Sequence, residues 1–130
     1  RIVYVSSASG SPQLYLISSS GGAPQRLTTR GTQNAAPDWG KNGLIAYQTL
    51  SGGKFQIAVM DPATMQERVI TPFDASYEDP SWAPDGRHLA AARSINYSYS
   101  VYLLDSMAAL GDKPVALTST GEWTSPAWSR

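Results

Sequence analysis

Three stretches of continuous apolar residues recur at nearly equal distances along the chain. They are Leu-Tyr-Leu-Ile at 14–17, Ile-Ala-Val-Met at 57–60 and Val-Tyr-Leu-Leu at 101–104. A strand with one buried face alternates apolar and polar residues, whereas a strand that is covered on both faces is apolar throughout. The pattern therefore predicts three strands, each of which lies between two other layers of structure.

Each apolar stretch belongs to a longer unit that the chain repeats three times without a gap. The units begin at Ile2, Ile45 and Leu89, so their starts lie 43 and 44 residues apart. A short arm ending in Leu-Thr or Ile-Thr follows each unit and leads to a Pro-x-Trp, at 37–39, 80–82 and 126–128. A period of about 40–50 residues with several short strands is typical of a β-propeller blade.

We interpret each repeat as four strands, named a to d. Strand a carries the Pro-x-Trp, strands b and c form a hairpin that contains the apolar stretch, and strand d is the short polar arm. The predicted fold is an all-β propeller segment of three four-stranded blade equivalents, which is half of a six-bladed ring. Residues 1–130 are predicted to be one domain, with repeats at about 1–39, 40–82 and 83–130.

The predicted strand order begins with a b strand and ends with an a strand, so the outer blades are incomplete. Closed propellers typically have about 4–8 blades, and an unpaired strand edge promotes association. We therefore expect either a homodimer that closes a six-bladed ring or further blades in a longer chain.

The tryptophans of the chain fall into two groups. Trp39, Trp82 and Trp128 occupy the same position of the repeat, so we predict that they pack one blade against the next. Trp123 lies outside this register, in a link between strand d and the following strand a. We predict that its side chain is exposed.

The composition excludes several function classes. The formal net charge is zero and no apolar run reaches the length of a spanning helix, so neither nucleic-acid binding nor membrane insertion is predicted. Without cysteine, disulfides and thiolate catalysis are excluded. The one histidine, His88, follows a turn, and no Gly-x-Ser-x-Gly elbow occurs. We therefore predict no enzymatic activity.

The repeat resembles the TolB-type, WD-like propeller family over nearly the whole chain, and most closely the family's C-terminal blades. The matching segments are Asp-Pro-Ser-Trp-Ala-Pro-Asp-Gly at 79–86, Ile-Ala-Tyr at 45–47, Ile-Ala-Val-Met-Asp at 57–61 and Arg-Leu-Thr at 26–28. The resemblance implies a periplasmic propeller of the Tol-Pal cell-envelope system, which binds the peptidoglycan-associated lipoprotein across one face. The same repeat also occurs in peptidase-gating propellers and in sugar-processing enzymes.

The links between strand d and the next strand a are the predicted contact surface. They cover residues 29–36, 72–79 and 119–125 and should crowd one rim of the central channel. Tyr and Trp are enriched among binding anchors, and the carboxylates of these links would suit a basic partner or Ca²⁺ in the channel. The candidate partner-binding residues are Gln33, Asn34, Tyr77, Glu78, Glu122 and Trp123.

The sequence thus predicts a non-enzymatic protein-interaction module that presents this rim to a partner, without a required cofactor. Two alternatives remain open at this point. The chain could be an accessory or gating propeller of a larger hydrolase, or an excised or engineered half-propeller that only self-assembles.

Overall fold

A computed structural model describes residues 1–109, 112–119 and 121–129. The described residues form strands, turns and loops without a helix, so no segment among them is a candidate for a helical membrane span. The strands are β1 (Ile2–Ser6), β2 (Gln13–Ile17), β3 (Gln25–Arg26), β4 (Asn34–Trp39), β5 (Ile45–Ser51), β6 (Lys54–Asp61), β7 (Gln66–Val69), β8 (Ser76–Trp82), β9 (His88–Ile95), β10 (Ser98–Asp105) and β11 (Val115–Ala116).

These strands form three antiparallel sheets whose spatial order follows the chain. Sheet 1 contains β1-β2-β3, sheet 2 contains β4-β5-β6-β7, and sheet 3 contains β8-β9-β10-β11. The a-b-c-d order of the propeller blade is therefore confirmed, with b-c-d alone in sheet 1. The last predicted a strand, residues 124–129, is not a strand. In sheets 2 and 3 strand a pairs with the b strand that follows it, and no described strand is available to residues 124–129.

The core lies between the sheets, and β6 contributes to both of its halves. Ile57 and Val59 face the cluster shared with sheet 3, whereas Ala58 and Met60 face the cluster shared with sheet 1. Continuous apolarity in β6 thus reflects burial on both faces, as predicted. The corresponding residues of β10 are mostly half-buried, because sheet 3 has a described sheet on one side only.

Strands β4 and β8 begin earlier than the sequence predicts. Each contains a register shift just before its proline, where Ala36 (φ 52°) or Asp79 (φ 54°) adopts a left-handed conformation. Proline cannot donate to a strand ladder, and a bulge lets the strand continue past it. The strands therefore extend toward the predicted links and include Asn34 and Tyr77.

Trp82 joins sheet 2 to sheet 3. Its backbone N–H donates to the Asp38 carboxylate (2.7 Å), and its indole N–H donates to the Asp38 carbonyl (3.1 Å). The same contact recurs once, since the Trp128 backbone N–H donates to the Ser81 hydroxyl (3.0 Å). The residue between Pro and Trp thus anchors the next tryptophan, and Trp82, which is only 7% exposed, packs between blades as predicted.

Candidate partner-binding rim

The links from strand d to strand a lie beside the b–c hairpins at one end of the sheets. The Lys54 ammonium donates to the Phe73 carbonyl (3.1 Å), and the Leu50 backbone N–H donates to the Gln33 carbonyl (2.9 Å). We call this end the rim; it comprises residues 30–33, 52–54, 73–78, 95–99 and 121–123. The a–b and c–d turns lie at the opposite end, where Arg87 and Asp105 form an ion pair (2.8 Å).

Two of the six candidate residues are buried beneath the rim. Asn34 is 1% exposed, and its amide donates to the side-chain oxygen of Gln13 (2.9 Å) and to the Arg30 carbonyl (2.8 Å). Tyr77 is fully buried, and its hydroxyl donates to Asp74 (3.1 Å). Both belong to strands that the bulges extend into the predicted links. We therefore do not retain them as direct contacts, and we assign them to positioning the links.

A hydrogen bond between a glutamine and a threonine joins each of the first two c strands to the arm that follows it. The Thr28 hydroxyl donates to Gln13 (2.7 Å) and accepts the Leu14 backbone N–H (2.9 Å). Thr71 and Gln56 repeat the same contact at 2.7 Å. The recurring Leu-Thr and Ile-Thr pairs mark the arm in the sequence but do not by themselves assign a role to the threonine. The recurrence of Gln directly before the apolar stretch of strand c, at Gln13 and Gln56, is the signal that could have revealed it.

Arg93 fixes the link that precedes β8. Its guanidinium lies 4.9 Å from the ring centre of Tyr102 and 5.9 Å from that of Tyr77, and it pairs with Asp74 (3.1 Å). Burial raises the pKa of Tyr77 to about 12. Although partial burial opposes the change, hydrogen bonds from Arg93 and Tyr77 lower the pKa of Asp74. The positive charge of Arg93 is thus already matched within the chain.

The remaining candidates present their side chains at the surface of the rim. Gln33 and Glu122 are exposed, Glu78 is half-buried, and Trp123 is 51% exposed. The Trp123 backbone N–H donates to the Tyr99 carbonyl (3.3 Å), which fixes this loop beside β10. Trp123 is therefore exposed as predicted, and one side of its indole ring lies close against Gly121.

The carboxylates of Glu78 and Glu122 both affect the pKa of Tyr99. The negative charge of Glu78, together with partial burial and the charge of Glu122, raises the pKa of Tyr99. Burial and the charge of Asp79 raise the pKa of Glu78 itself. Glu122 also forms an isolated β-bridge with Tyr99, so this part of the rim carries negative charge.

The Pro-x-Trp segments converge on an open cavity of about 370 Å³, at the inner edges of the sheets. Residues 36–41, 79–84 and 125–129 line it. Its carboxylates are engaged, since Asp38 accepts from Trp82 and Asp79 accepts from the Ser125 hydroxyl (3.2 Å). Across the described ranges, no three Asp, Glu or His side chains are grouped to hold a metal ion.

His88 lies at the end of the sheets opposite the rim. It sits at the a–b turn of sheet 3, where its Nδ1 hydrogen bonds to Asp85 (2.6 Å). The backbone N–H of the same histidine also donates to Asp85 (2.9 Å). This geometry is that of a turn, because the carboxylate satisfies the backbone donors of the loop.

Comparison with known proteins places these features in a family. The sequence matches the TolB beta propeller domain over residues 1–130. A protein described as "Protein TolB homolog" from Chlorobium chlorochromatii (strain CaD3) is 34% identical over 130 residues, which cover 99% of this chain and 29% of that protein. The chain spans 22% to 29% of the length of such curated relatives.

Solved structures show the same architecture. The crystal structure of TolB from Acinetobacter baumannii superposes with a TM-score of 0.73 and 25% identity, over 95% of this chain and 31% of that one. A puromycin-hydrolyzing peptidase from Mycobacterium tuberculosis is similar in fold (TM-score 0.64, 18% identity), over 79% of this chain and 17% of the peptidase. By the match along its whole length, the chain belongs to the family of TolB β-propeller domains.

Proposed function

We propose that this chain is a protein-binding propeller segment of the Tol-Pal type, which works in the periplasm and binds its partner through the rim. The observation that carries the proposal is Trp123, a half-exposed indole that breaks the repeat and lies beside the exposed Glu122. Several curated relatives are described as Tol-Pal system proteins. By resemblance, the partner is a protein like the peptidoglycan-associated lipoprotein.

The chemistry of the rim supports binding rather than catalysis. Tryptophan in a partly exposed loop offers a large apolar surface with a polar N–H, a combination enriched at protein interfaces. Gln33 adds an exposed amide, and Glu78 and Glu122 add charge. The lone histidine is hydrogen bonded within a turn at the other end of the sheets. We therefore infer that the segment has no hydrolytic activity of its own.

A second role has one observation in its favour. The fold similarity to the mycobacterial peptidase agrees with a propeller that gates the active site of a larger hydrolase. At 18% identity this likeness concerns the fold alone. The two roles differ in the surface that they use, since a gate needs its channel and an interaction module needs its rim.

The outer faces of sheets 1 and 3 are further contact surfaces in this proposal. Strand β10 is half-buried where the equivalent β6 is buried, because β6 lies between two sheets. A neighbouring blade would cover Leu103 and Val101 in the same way. That neighbour is either a second copy of this chain, which forms a homodimer, or a further blade of a longer protein.

Binding to a purified soluble domain of peptidoglycan-associated lipoprotein tests the main proposal. Isothermal titration calorimetry should detect binding to the unmodified chain, and Trp123→Ala should weaken it at least tenfold. Met107→Ala is the matched control, because Met107 is an exposed apolar side chain in the c–d turn at the opposite end. An equal effect of the two substitutions, or no binding by the unmodified chain, would contradict the proposal.

A further inference from the structure

The turn of the hairpin between β9 and β10 has a backbone conformation that suits glycine, yet a tyrosine occupies it. Ile95 pairs with Ser98, and the two residues between them, Asn96 (φ 51°) and Tyr97 (φ 63°), both have positive φ. This is the two-residue type I′ turn, whose preferred second residue is glycine. A bulky side chain with positive φ is an outlier that calls for an explanation.

The neighbouring repeat shows the turn without this strain. The β5–β6 hairpin has the same two-residue turn, occupied by Gly52 (φ 58°) and Gly53 (φ 79°). Tyr97 is 89% exposed, so its ring makes little contact with the rest of the chain. Neither the turn nor the packing of the fold accounts for a tyrosine here. Strained residues of this kind cluster at ligand-binding sites.

Two other exposed apolar side chains lie near Tyr97. Ile95 is the first residue of the same turn and is exposed. The backbone N–H of Trp123 donates to the carbonyl of Tyr99, which is two residues after Tyr97 in the chain. We call Ile95, Tyr97 and Trp123 the hairpin patch. Clustered apolar residues at a polar rim are typical of protein-interaction sites.

The side chains next to the hairpin patch carry negative charge. Glu122 precedes Trp123 and forms an isolated β-bridge with Tyr99. Glu78 lies on β8 two positions after Ser76, which is paired with Ser94, the partner of Tyr99 on β10. Neither glutamate takes part in an ion pair among the described residues. Near the patch, Arg93 pairs with Asp74 and Lys54 donates to a carbonyl. Arg30, the other basic residue of the rim, lies in the link between sheets 1 and 2 and not beside sheet 3.

We propose that the hairpin patch binds an extended segment of a partner protein that carries a Lys or Arg beside an apolar side chain. The aromatic rings can receive the apolar group and the face of the cation, and Glu78 and Glu122 supply the opposite charge. An anionic membrane surface would be repelled by the same carboxylates. The inference rests on the rim's proposed role in binding, and it adds both Tyr97 and the chemistry of the ligand.

A selection of random 12-residue peptides displayed on phage tests the inference, whichever protein the natural partner is. The unmodified chain is the bait, and the double variant Tyr97→Gly/Trp123→Ala is used for counter-selection. The enriched peptides should contain Lys or Arg next to apolar residues. Their synthetic forms should bind at least tenfold more weakly to Tyr97→Gly and to Glu122→Gln, and equally well to Met107→Ala.

The variant Tyr97→Gly separates binding from folding. Glycine suits a positive φ, so this substitution should leave the melting temperature unchanged or raise it while it weakens peptide binding. Glu122→Gln should in addition reduce the dependence of peptide affinity on salt concentration. A Tyr97→Gly variant that binds the selected peptides as well as the unmodified chain overturns the inference, as does enrichment of acidic peptides.

Two further outcomes distinguish the inference from the proposed function. If the lipoprotein domain binds and Tyr97→Gly leaves that affinity unchanged, the proposed function stands and the hairpin patch is refuted as its site. If the lipoprotein domain does not bind and the basic peptides bind through Tyr97, the named partner is refuted and the patch stands. If Tyr97→Gly instead converts an oligomer to a monomer in light scattering, the patch binds a second copy of the chain and the inference is wrong.

Discussion

Truncating Trp82 should destabilise the fold far more than truncating Trp123. Trp82 is buried in the cluster between sheets 2 and 3, and it donates two hydrogen bonds to Asp38. Trp82→Ala removes the indole from this cluster and leaves the Asp38 carbonyl without the indole N–H. The ring of Trp123 lies half in solvent, so Trp123→Ala removes little packing.

The expected magnitudes follow from burial. Replacing a buried Trp by Ala costs about 3–5 kcal/mol, whereas an exposed substitution changes stability by about 0.5 kcal/mol or less. With an unfolding entropy of about 2.1 cal/mol/K per residue, each kcal/mol shifts the Tm of a chain of this size by about 4 °C. Trp82→Ala should therefore lower Tm by about 10–20 °C, and Trp123→Ala by about 2 °C.

Thermal unfolding followed by circular dichroism measures both shifts. If Trp82→Ala does not fold at all, Trp82→Phe keeps most of the buried ring and loses the indole hydrogen bond. It should cost about 1–3 kcal/mol, which is still more than Trp123→Ala. Equal shifts for Trp82→Phe and Trp123→Ala would refute the assignment of Trp82 as the wedge between blades.

Three further predictions concern acid stability, assembly and catalysis. Backbone donors of His88 and Arg87 lower the pKa of Asp85 to about 2, below the unfolded value of about 3.9. Its contribution to stability is therefore present above about pH 4 and is lost as pH falls toward 2; Asp85→Asn should flatten that part of the curve of Tm against pH. In light scattering the chain should have a mass above the 13.9 kDa of a monomer. A stable monomer would contradict the closure of the ring by a second copy of the chain. Peptide and ester substrates should not be hydrolysed; activity that disappears in His88→Ala would contradict the non-enzymatic assignment.

The repeat made the architecture predictable from the sequence. Ile57 to Met60 are apolar without interruption because β6 is buried on both faces. Burial on both faces can therefore be predicted from the sequence of the strand alone. The start of strand a was harder to predict from the sequence. Pro37 and Pro80 suggested that the strand begins there, but bulges at Ala36 and Asp79 carry it further toward the rim.

That difference explains why only part of the site was predictable. Asn34 and Tyr77 are polar or amphipathic residues close to a proline, a composition that suits both a loop and a buried strand end. The burial of Asn34 depends on its contact with Gln13, and that of Tyr77 on its contact with Arg93. Both partners lie 16 or more positions away in the sequence. Local pattern carries no information on such contacts. Trp123 was recognisable because it departs from the repeat, a property that is visible without the fold.

Departure from the repeat is the most informative signal for function in this chain. Positions that recur, such as Trp82 and Thr71, have partners within the sheets and explain the fold. Tyr97 occupies a turn that needs only glycine, as Gly53 shows one repeat earlier. A residue that strains the backbone and contacts little of its own chain gives no benefit to folding, so it should be lost unless something outside the chain selects it. By this argument a partner that uses the hairpin patch accounts for Tyr97 better than any requirement of the fold does.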